Sequence, residues 1–210
     1  MADTGYISPG TMANDSAVGA VAWSNPDNAK ASDGSYATLT DGDATNIYDT
    51  TVKLVKGGSI SGDNKATSTD LISTEAYISY GGSSDLWGNT LTYSDINAIT
   101  FGVAFSYTMN TGDETVSNYL KATNFGFSIP TGATIDGVFS EIEVKQIGQV
   151  AYVDHIRIKV YYTETSGTNM QINISDTWKD VSAMKINIGD TWKDVTAVKQ
   201  NIGDTWKDVF

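Results

Sequence analysis

Apolar and polar residues alternate over many short stretches of this chain, which is the pattern of half-buried β-strands. The clearest stretch is His155–Tyr162, in which Ile156, Ile158, Val160 and Tyr162 share one face and the polar residues between them share the other. No stretch of useful length repeats its apolar residues with the period of a helix. Val, Ile, Tyr and Thr carry the pattern while Leu is scarce, a composition that favours strands. The pattern therefore predicts an all-β chain.

Turn residues separate the alternating stretches and divide the chain into predicted elements. The first sixteen residues read as an extended N-terminal arm, and residues 17–163 as an antiparallel two-sheet β-sandwich with a jelly-roll-like arrangement. One helical turn is predicted at Ser94–Asn97, with Ser94 as its N-cap. Gly57-Gly58 predicts a hairpin that joins Thr51–Val55 to Ser59–Ser61. The predicted strands are Ala17–Trp23, Ser35–Leu39, Thr51–Val55, Ser59–Ser61, Glu75–Tyr80, Phe101–Tyr107, Tyr119–Ile129, Thr134–Lys145 and His155–Tyr162.

Residues 164–210 form a different region, a linker followed by three copies of a short repeat. The copies read QINISDTWKDVSAM, KINIGDTWKDVTAV and KQNIGDTWKDVF, so that the tryptophans recur every fourteen residues. Gly-Asp occupies the place of a two-residue hairpin loop, where glycine supplies the positive φ that such turns require. Ser175 replaces this glycine in the first copy, which predicts a differently shaped turn there.

Each repeat therefore predicts a short β-hairpin with isoleucines on one face and a tryptophan on the other. A lone hairpin is marginally stable in water and cannot bury two apolar faces. Units of this length bury their apolar residues against neighbouring copies or against other chains, which predicts self-association, with a homotrimer as the expected assembly. The predicted oligomerisation residues are Ile172, Ile174, Trp178, Ile186, Ile188, Trp192, Ile202 and Trp206.

The charge of the chain excludes several classes of partner. The net charge is −12, with twelve lysines and a single arginine, Arg157. Nucleic-acid binding needs clustered positive charge, and so does attraction to an anionic membrane, so that neither partner is expected. No stretch reaches the roughly twenty apolar residues of a membrane span, and the N-terminus does not read as a secretion signal. We therefore expect a protein that is made in a cytoplasm.

Little in the sequence indicates catalysis. The chain has no cysteine and one histidine, His155, which follows Asp154 within a predicted strand. One interpretation is a general base oriented by that carboxylate; the other, which we favour, is a polar residue paired across strands. No nucleophile motif accompanies the histidine, so that an enzyme is not expected.

No cofactor is predicted. Structural calcium is the one metal that the sequence suggests, because of two acidic turns. Asp41-Gly42-Asp43 and Asp63-Asn64 are oxygen-rich turns of a kind that holds Ca²⁺ in some β-sandwiches. Neither turn matches an EF-hand loop, and solvated turns explain both of them more simply.

The loop Gly81–Gly88 is the best predicted contact with a ligand. Trp87, with Tyr80 and Asp85 nearby, suggests an aromatic platform with polar groups of the kind that holds sugar rings. The alternative is that Trp87 closes one end of the sandwich core, because large aromatic residues are usually buried.

Several stretches resemble a β-sandwich module of bacteriophage virion proteins, and the INIGDTWKDV repeats resemble C-terminal segments of phage fibre-like proteins. The resemblance implies a non-enzymatic virion structural protein, a capsid fibre, decoration protein or tail-associated fibre. Its expected partners are copies of itself, other virion proteins and glycans of the host surface. A carbohydrate-binding module and a subunit of a cellular extracellular filament are the alternatives. The stretches that carry the resemblance are Trp23–Leu39, Val52–Gly58, Ala76–Gly88, Ser117–Val138 and Tyr152–Thr163.

The order of these stretches departs from that family. There the SNYLKATNFGFSIP stretch follows the WSNP…YATL stretch directly, whereas here residues 46–116 lie between them. If the same strands occupy the same places, the connections between them must differ. The family has no established catalytic residues, so that none is expected here.

Overall fold

The computed structural model describes residues 1–164 and, in the tail, residues 171–174, 177–180, 185–188, 190–195, 199–202 and 205–208. The chain divides into two compact units, Met1–Glu164 and Thr165–Phe210. The larger unit is a β-sandwich, which confirms the predicted all-β class. The predicted linker comprises residues 163–168; Thr163 is the last residue of a strand, and residues 165–168 lie outside the described residues, as does the turn at Ser175.

The larger unit contains eleven strands and two short helices. In chain order these are β1 Ala2–Asp3, β2 Thr11–Asp15, a 3₁₀ helix Pro26–Ala29, β3 Ala37–Thr40, β4 Asn46–Lys56, β5 Ser59–Ser61, β6 Ala76–Gly81, α1 Tyr93–Asn97, β7 Gly102–Asn110, β8 Glu114–Val116, β9 Tyr119–Thr123, β10 Thr134–Ile147 and β11 Val150–Thr163.

The first sheet, sheet A, is built around the long hairpin of β10 and β11. The two strands pair from Thr134–Thr163 to Ile147–Val150, with irregularities at Ile135/Gly137 and at Glu143/Val144. Strand β6 pairs with the free side of β10. Strands β1 and β3 both pair with the other side of β11, at its two ends. All these pairs are antiparallel.

The second sheet, sheet B, has the strand order β2–β9–β7–β4–β5, and β8 also pairs with β7. Strands β4 and β5 form the hairpin predicted at Gly57-Gly58, with Lys56 opposite Ser59. Both glycines have positive φ, as the two-residue loop requires. Strand β7 is buried along nearly its whole length, because it is a central strand and packs on the core through Phe105 and Tyr107.

The apolar faces of the two sheets form one core. Ile142, Ile156 and Ile158 of sheet A and Val103 and Phe105 of sheet B belong to a single buried cluster. The alternation predicted for His155–Tyr162 is confirmed, because Ile156, Ile158 and Val160 are buried. Burial of each such side chain stabilises the fold by about 1.5–3 kcal/mol, which is what holds the sheets together.

The N-terminal segment differs from the predicted arm. Strand β1 lies at the edge of sheet A, and β2 pairs with β9 at the edge of sheet B. Residues between them follow β11, where Ile7 pairs with Ile158. The prediction was wrong because short edge strands carry a weak alternation of their own and depend on distant partners for their hydrogen bonds.

Two predicted strands are shorter or absent. Ala17–Trp23 is not a strand, because Gly19 has a φ of 81° and interrupts the extended backbone; only Val21 makes an isolated bridge, to Ser117. The stretch Tyr119–Ile129 forms a strand only to Thr123, since Asn124 has a φ of 58°. Beyond it, Phe125 and Phe127 still pack into the core.

The predicted helical turn is present but begins at another residue. Helix α1 starts at Tyr93, and its N-cap is Thr92 instead of Ser94. The Thr92 hydroxyl accepts a hydrogen bond from the backbone N–H of Asp95, whose carboxylate accepts one from the backbone N–H of Thr92. This reciprocal capping box satisfies two backbone donors, an advantage that Ser94 does not have.

The tail repeats form three separate two-stranded hairpins, as predicted. They are β12 Gln171–Ile174 with β13 Thr177–Asp180, β14 Lys185–Ile188 with β15 Thr191–Asp194, and β16 Lys199–Ile202 with β17 Thr205–Asp208. In the second hairpin Ile188 pairs with Thr191, and Asp190 lies in the turn between them. Asp190 has a φ of 60°, as a primed turn requires.

Candidate functional site

The predicted aromatic platform is not open to a ligand. Trp87 is completely buried, and its indole N–H donates a hydrogen bond of 2.9 Å to the carbonyl oxygen of Val138. Tyr80 is also buried, with its ring 5.8 Å from that of Phe105. The carboxylate of Asp85 is partly exposed and forms an ion pair of 2.8 Å with Lys65. The structure therefore supports the alternative in which Trp87 closes the core.

The backbone around Trp87 explains why it lies inward. Trp87 itself has a φ of 55°, and the Asp85 carboxylate accepts a hydrogen bond from its backbone N–H. Gly81 passes so close to the indole that a Cβ at this position would overlap the indole nitrogen. The turn and the neighbouring glycine together direct the ring into the sandwich, away from solvent.

The second tail hairpin exposes large apolar residues on both faces. Ile188 is 55% exposed and Trp192 is 66% exposed. Asn187 pairs with Trp192 and Ile188 with Thr191, so that Ile188 and Trp192 lie on opposite faces of the hairpin. The other predicted oligomerisation residues lie in strands whose side chains are outside the description: Ile172, Ile174, Trp178, Ile186, Ile202 and Trp206.

The outer face of sheet A carries a polar network around His155. The Nε2 atom of His155 lies 2.8 Å from the Ser8 hydroxyl, and its Nδ1 atom lies 3.0 Å from the Tyr77 hydroxyl. Burial of the imidazole lowers the pKa of His155, which favours the neutral ring. Asp154 does not orient this ring, since its carboxylate accepts hydrogen bonds from the backbone of Gly34. The Asp–His pair of the less favoured interpretation is therefore not formed.

Arg157 occupies the neighbouring position on the same face. Its guanidinium lies 4.1 Å from the centre of the Tyr6 ring and 3.8 Å from that of Tyr77. Its Nε atom donates a hydrogen bond of 2.7 Å to the carboxylate of Glu141. The only arginine of the chain thus lies between two aromatic rings and a carboxylate, and it connects the segment that follows β1 with β6, β10 and β11.

Three acidic residues come together beside this network and form what we call the carboxylate cluster: Glu75, Glu143 and Asp154. One carboxylate oxygen from each lies within 4.8 Å of the others. Glu143 lies on β10 opposite both His155 and Tyr77, Asp154 lies in the irregular part of β11, and Glu75 directly precedes β6. Three neighbouring strands of sheet A therefore bring the cluster together.

The surroundings compensate only part of this negative charge. The Lys145 ammonium lies 3.1 Å from one oxygen of Glu75, and the Tyr36 hydroxyl donates a hydrogen bond to the same oxygen. Burial raises the pKa of Asp154, and the charges of Glu75 and Glu143 raise it further, against hydrogen bonds from the backbone that lower it. The carboxylates thus repel one another in a partly dehydrated site.

The acidic turns considered for calcium do not form such a group. Asn64 uses its amide oxygen to accept hydrogen bonds from the backbone N–H groups of Val52 and Ala66. Asp63 lies 3.8 Å from the Lys65 ammonium. Within the described part of the chain, neither this turn nor Asp41-Gly42-Asp43 contributes to a group of three acidic or histidine ligands.

A cavity of about 260 Å³ opens between the segment of residues 67–72 and the edge strand β6. Its lining is mainly apolar, with Leu71, Ile72, Ile78 and Val144 among the lining residues. None of the residues predicted to contact a ligand lines this cavity. The cavity lies under the edge of sheet A, while the carboxylate cluster lies among the polar residues of this sheet.

Sequence reasoning missed both the His155 network and the carboxylate cluster. Ser8 and His155 are 147 residues apart, and Glu75 is far from Glu143 in the chain. One local signal was present: Glu141 and Glu143 alternate with apolar residues on β10, just as His155 and Arg157 do on β11. Such alternation marks an outer face, but only the strand pairing shows which residues meet there.

The chain was compared with known proteins at three levels. No protein family, no curated protein and no solved structure matches it. Among the described residues, no helix combines the length and the apolar character that crossing a membrane requires.

Proposed function

We propose that this chain is a non-enzymatic structural protein of a bacteriophage particle, displayed on the particle surface as a fibre or decoration. In this proposal the tail repeats assemble the chain into a homotrimer, and the sandwich faces outward. The assignment to a virion rests on the resemblance of the sandwich and of the INIGDTWKDV repeats to phage proteins. The assembly rests on the geometry of the tail.

The observation that carries the proposal is the exposure of Ile188 and Trp192 on opposite faces of one short hairpin. Each hairpin forms its own two-stranded sheet in the described part of the tail. An isolated hairpin of four-residue strands is marginally stable in water, and burial of apolar area against a partner is the usual remedy. Association of several tails supplies partner surface to both faces.

Adhesion to host glycans has less support. The predicted platform consisted of Tyr80, Asp85 and Trp87, and burial removes both aromatic rings from contact with a sugar. The exposed part of the outer face, around Tyr6, is occupied by Arg157 and Lys159, whose cationic groups lie over that ring. We therefore propose the structural role without an assigned glycan site.

Light scattering after size-exclusion chromatography tests the assembly. The full chain is expected to elute with about three times the 22.5 kDa mass of one chain. Trp192→Ser should lower the oligomer mass or weaken the association, because it removes the largest exposed apolar group of the second hairpin. The matched control is Ile99→Ser, which removes an apolar group that is 73% exposed on the sandwich and should leave the mass unchanged.

The location is tested separately with particles of the phage whose genome encodes the chain. Antibodies raised against residues 1–164 should decorate intact particles in electron micrographs. Absence of the chain from purified particles, as judged by mass spectrometry of their proteins, would refute the virion assignment and leave the assembly result unaffected.

A further inference from the structure

We propose that Glu75, Glu143 and Asp154 bind one divalent cation, and that Ca²⁺ is the ion that this ligand set fits best. The site lies on the outer face of sheet A, far in sequence from the acidic turns considered above. This inference concerns the sandwich alone, so that its outcome is independent of self-association by the tail.

Two oxygen atoms of the cluster lack the partners that buried carboxylates need. Glu75 Oε1 and Glu143 Oε2 have essentially no exposed surface and accept no hydrogen bond from the described residues. The third residue, Asp154, is only 4% exposed. A buried carboxylate oxygen without a donor is strongly unfavourable, and most such atoms in folded proteins have a partner. A cation that binds the two side chains through these oxygens would supply that partner.

The net charge of the cluster and its neighbours suits a divalent cation. The three carboxylates contribute −3 and the Lys145 ammonium, bound to Glu75, contributes +1, which leaves −2. Arg157 is paired with Glu141. The two ring nitrogens of His155 are occupied by the hydroxyl groups of Ser8 and Tyr77.

The donor atoms determine the class of ion. All three ligands are carboxylate oxygens, which hard cations such as Ca²⁺ and Mg²⁺ prefer over softer metals. Ca²⁺ binds oxygen at about 2.3–2.6 Å, so that two oxygens on opposite sides of it are separated by about 4.6–5.2 Å. The three oxygens lie within 4.8 Å of one another, so that one Ca²⁺ can contact all three. Mg²⁺ requires shorter distances and a stricter octahedral geometry.

The position of the site indicates what the cation would do. Glu143 belongs to β10, Asp154 to β11, and Glu75 to the segment that enters β6. The backbone N–H of Gly34 also binds Asp154, and the Tyr36 hydroxyl binds Glu75, which attaches the segment that leads into β3. A cation here would fasten three strands and one covering segment, and would stabilise the sandwich against unfolding.

Calorimetry on the full chain tests the proposal. Protein dialysed against EDTA and then against metal-free buffer should bind one Ca²⁺ per chain in isothermal titration. At a free Ca²⁺ concentration near 100 times the dissociation constant, the Tm of the sandwich should rise by about 5–10 °C. Tb³⁺ provides a second readout, because Tyr36 and Tyr77 lie close enough to sensitise its luminescence.

The variants are chosen so that a folding defect does not imitate loss of the site. Glu143→Gln should abolish the binding heat and the Tb³⁺ signal. In EDTA the same variant should unfold at a higher temperature than the wild type, because it removes one of three repelling charges. Glu75→Gln serves as a second variant should the first fail to fold. Asp43→Asn, in the exposed acidic turn, is the matched control and should bind Ca²⁺ like the wild type.

Three results would overturn the proposal. The first is the absence of binding heat and of any Tm change in the wild type at millimolar Ca²⁺, Mg²⁺ or Mn²⁺. The second is unchanged binding in both Glu143→Gln and Glu75→Gln. The third is loss of binding in Asp43→Asn alone, which would assign the ion to the turn instead.

Discussion

Replacement of Trp87 by alanine tests whether this residue is part of the core or part of an exposed sugar-binding platform. The side chain is fully buried, and substitutions of this kind cost about 3–5 kcal/mol of unfolding free energy. Loss of the indole hydrogen bond leaves no buried acceptor without a donor, because the carbonyl oxygen of Val138 still accepts a hydrogen bond from the backbone N–H of Gly82. Alanine at this position has the same unfavourable positive φ as tryptophan. The backbone strain is therefore equal in the two proteins and does not change the difference in unfolding free energy. We therefore expect a loss of about 4 kcal/mol.

Urea denaturation followed by circular dichroism measures this loss. With an m-value of about 2 kcal/mol/M, the midpoint should fall by about 2 M. Ile99→Ala is the matched control, because it truncates an exposed apolar residue and should change the unfolding free energy by less than about 0.5 kcal/mol. A Trp87→Ala variant as stable as that control would refute the burial argument and would restore the platform interpretation.

Three further predictions concern the sandwich. Gly102→Ala should lower the unfolding free energy by about 1–3 kcal/mol, since a Cβ there would overlap a carbonyl oxygen of β9. Gly42→Ala, where a Cβ would meet open space, should be nearly neutral in the same urea titration. Thr92→Ala should lower the unfolding free energy by about 1 kcal/mol through loss of the capping box, while Ser94→Ala should be nearly neutral. Equal losses in the two variants would contradict Thr92 as the N-cap. A hydrogen bond from a backbone N–H and a nearby lysine lower the pKa of Asp15. The Asp15 carboxylate therefore stabilises the fold above about pH 4, and this stabilisation is lost as the pH falls through the lowered pKa. The stability difference between wild type and Asp15→Asn should therefore narrow when thermal unfolding is measured at decreasing pH, and a constant difference would contradict it.

The sequence predicted those strands whose pattern is local. Strand β11 alternates from His155 to Tyr162, and Ile156, Ile158 and Val160 are buried as a set. The β4–β5 hairpin followed from Gly57-Gly58, because few residues other than glycine adopt positive φ there without strain. The tail hairpins were predicted from their Gly-Asp pairs for the same reason. In each case one segment contained both the pattern and the turn.

Features that depend on distant partners were not predicted. Strand β2 is an edge strand only because β9, more than one hundred residues later, supplies its hydrogen bonds. Trp23, in a segment predicted to be a strand, instead donates its indole N–H to the carbonyl oxygen of Asn118. A single sequence contains no signal for such pairings, and long-range contacts dominate a sandwich.

The carboxylate cluster shows the same limit for a site. Glu143 and Asp154 meet because β10 and β11 pair with an irregularity at Glu143/Val144, which places one additional residue in β11. This bulge was not visible in the alternation of either strand. Glu75 joins them through the pairing of β6 with β10. The acidic turns, which were visible in the sequence, are held by local hydrogen bonds instead.

Native mass spectrometry of two forms of the protein tests the central claim, assembly through the tail repeats, most directly. At the same micromolar concentration, the full chain should appear as a trimer, and a chain that ends at Glu164 should appear as a folded monomer. A full chain that remains monomeric, or a truncated chain that still forms the same trimer, would contradict the account.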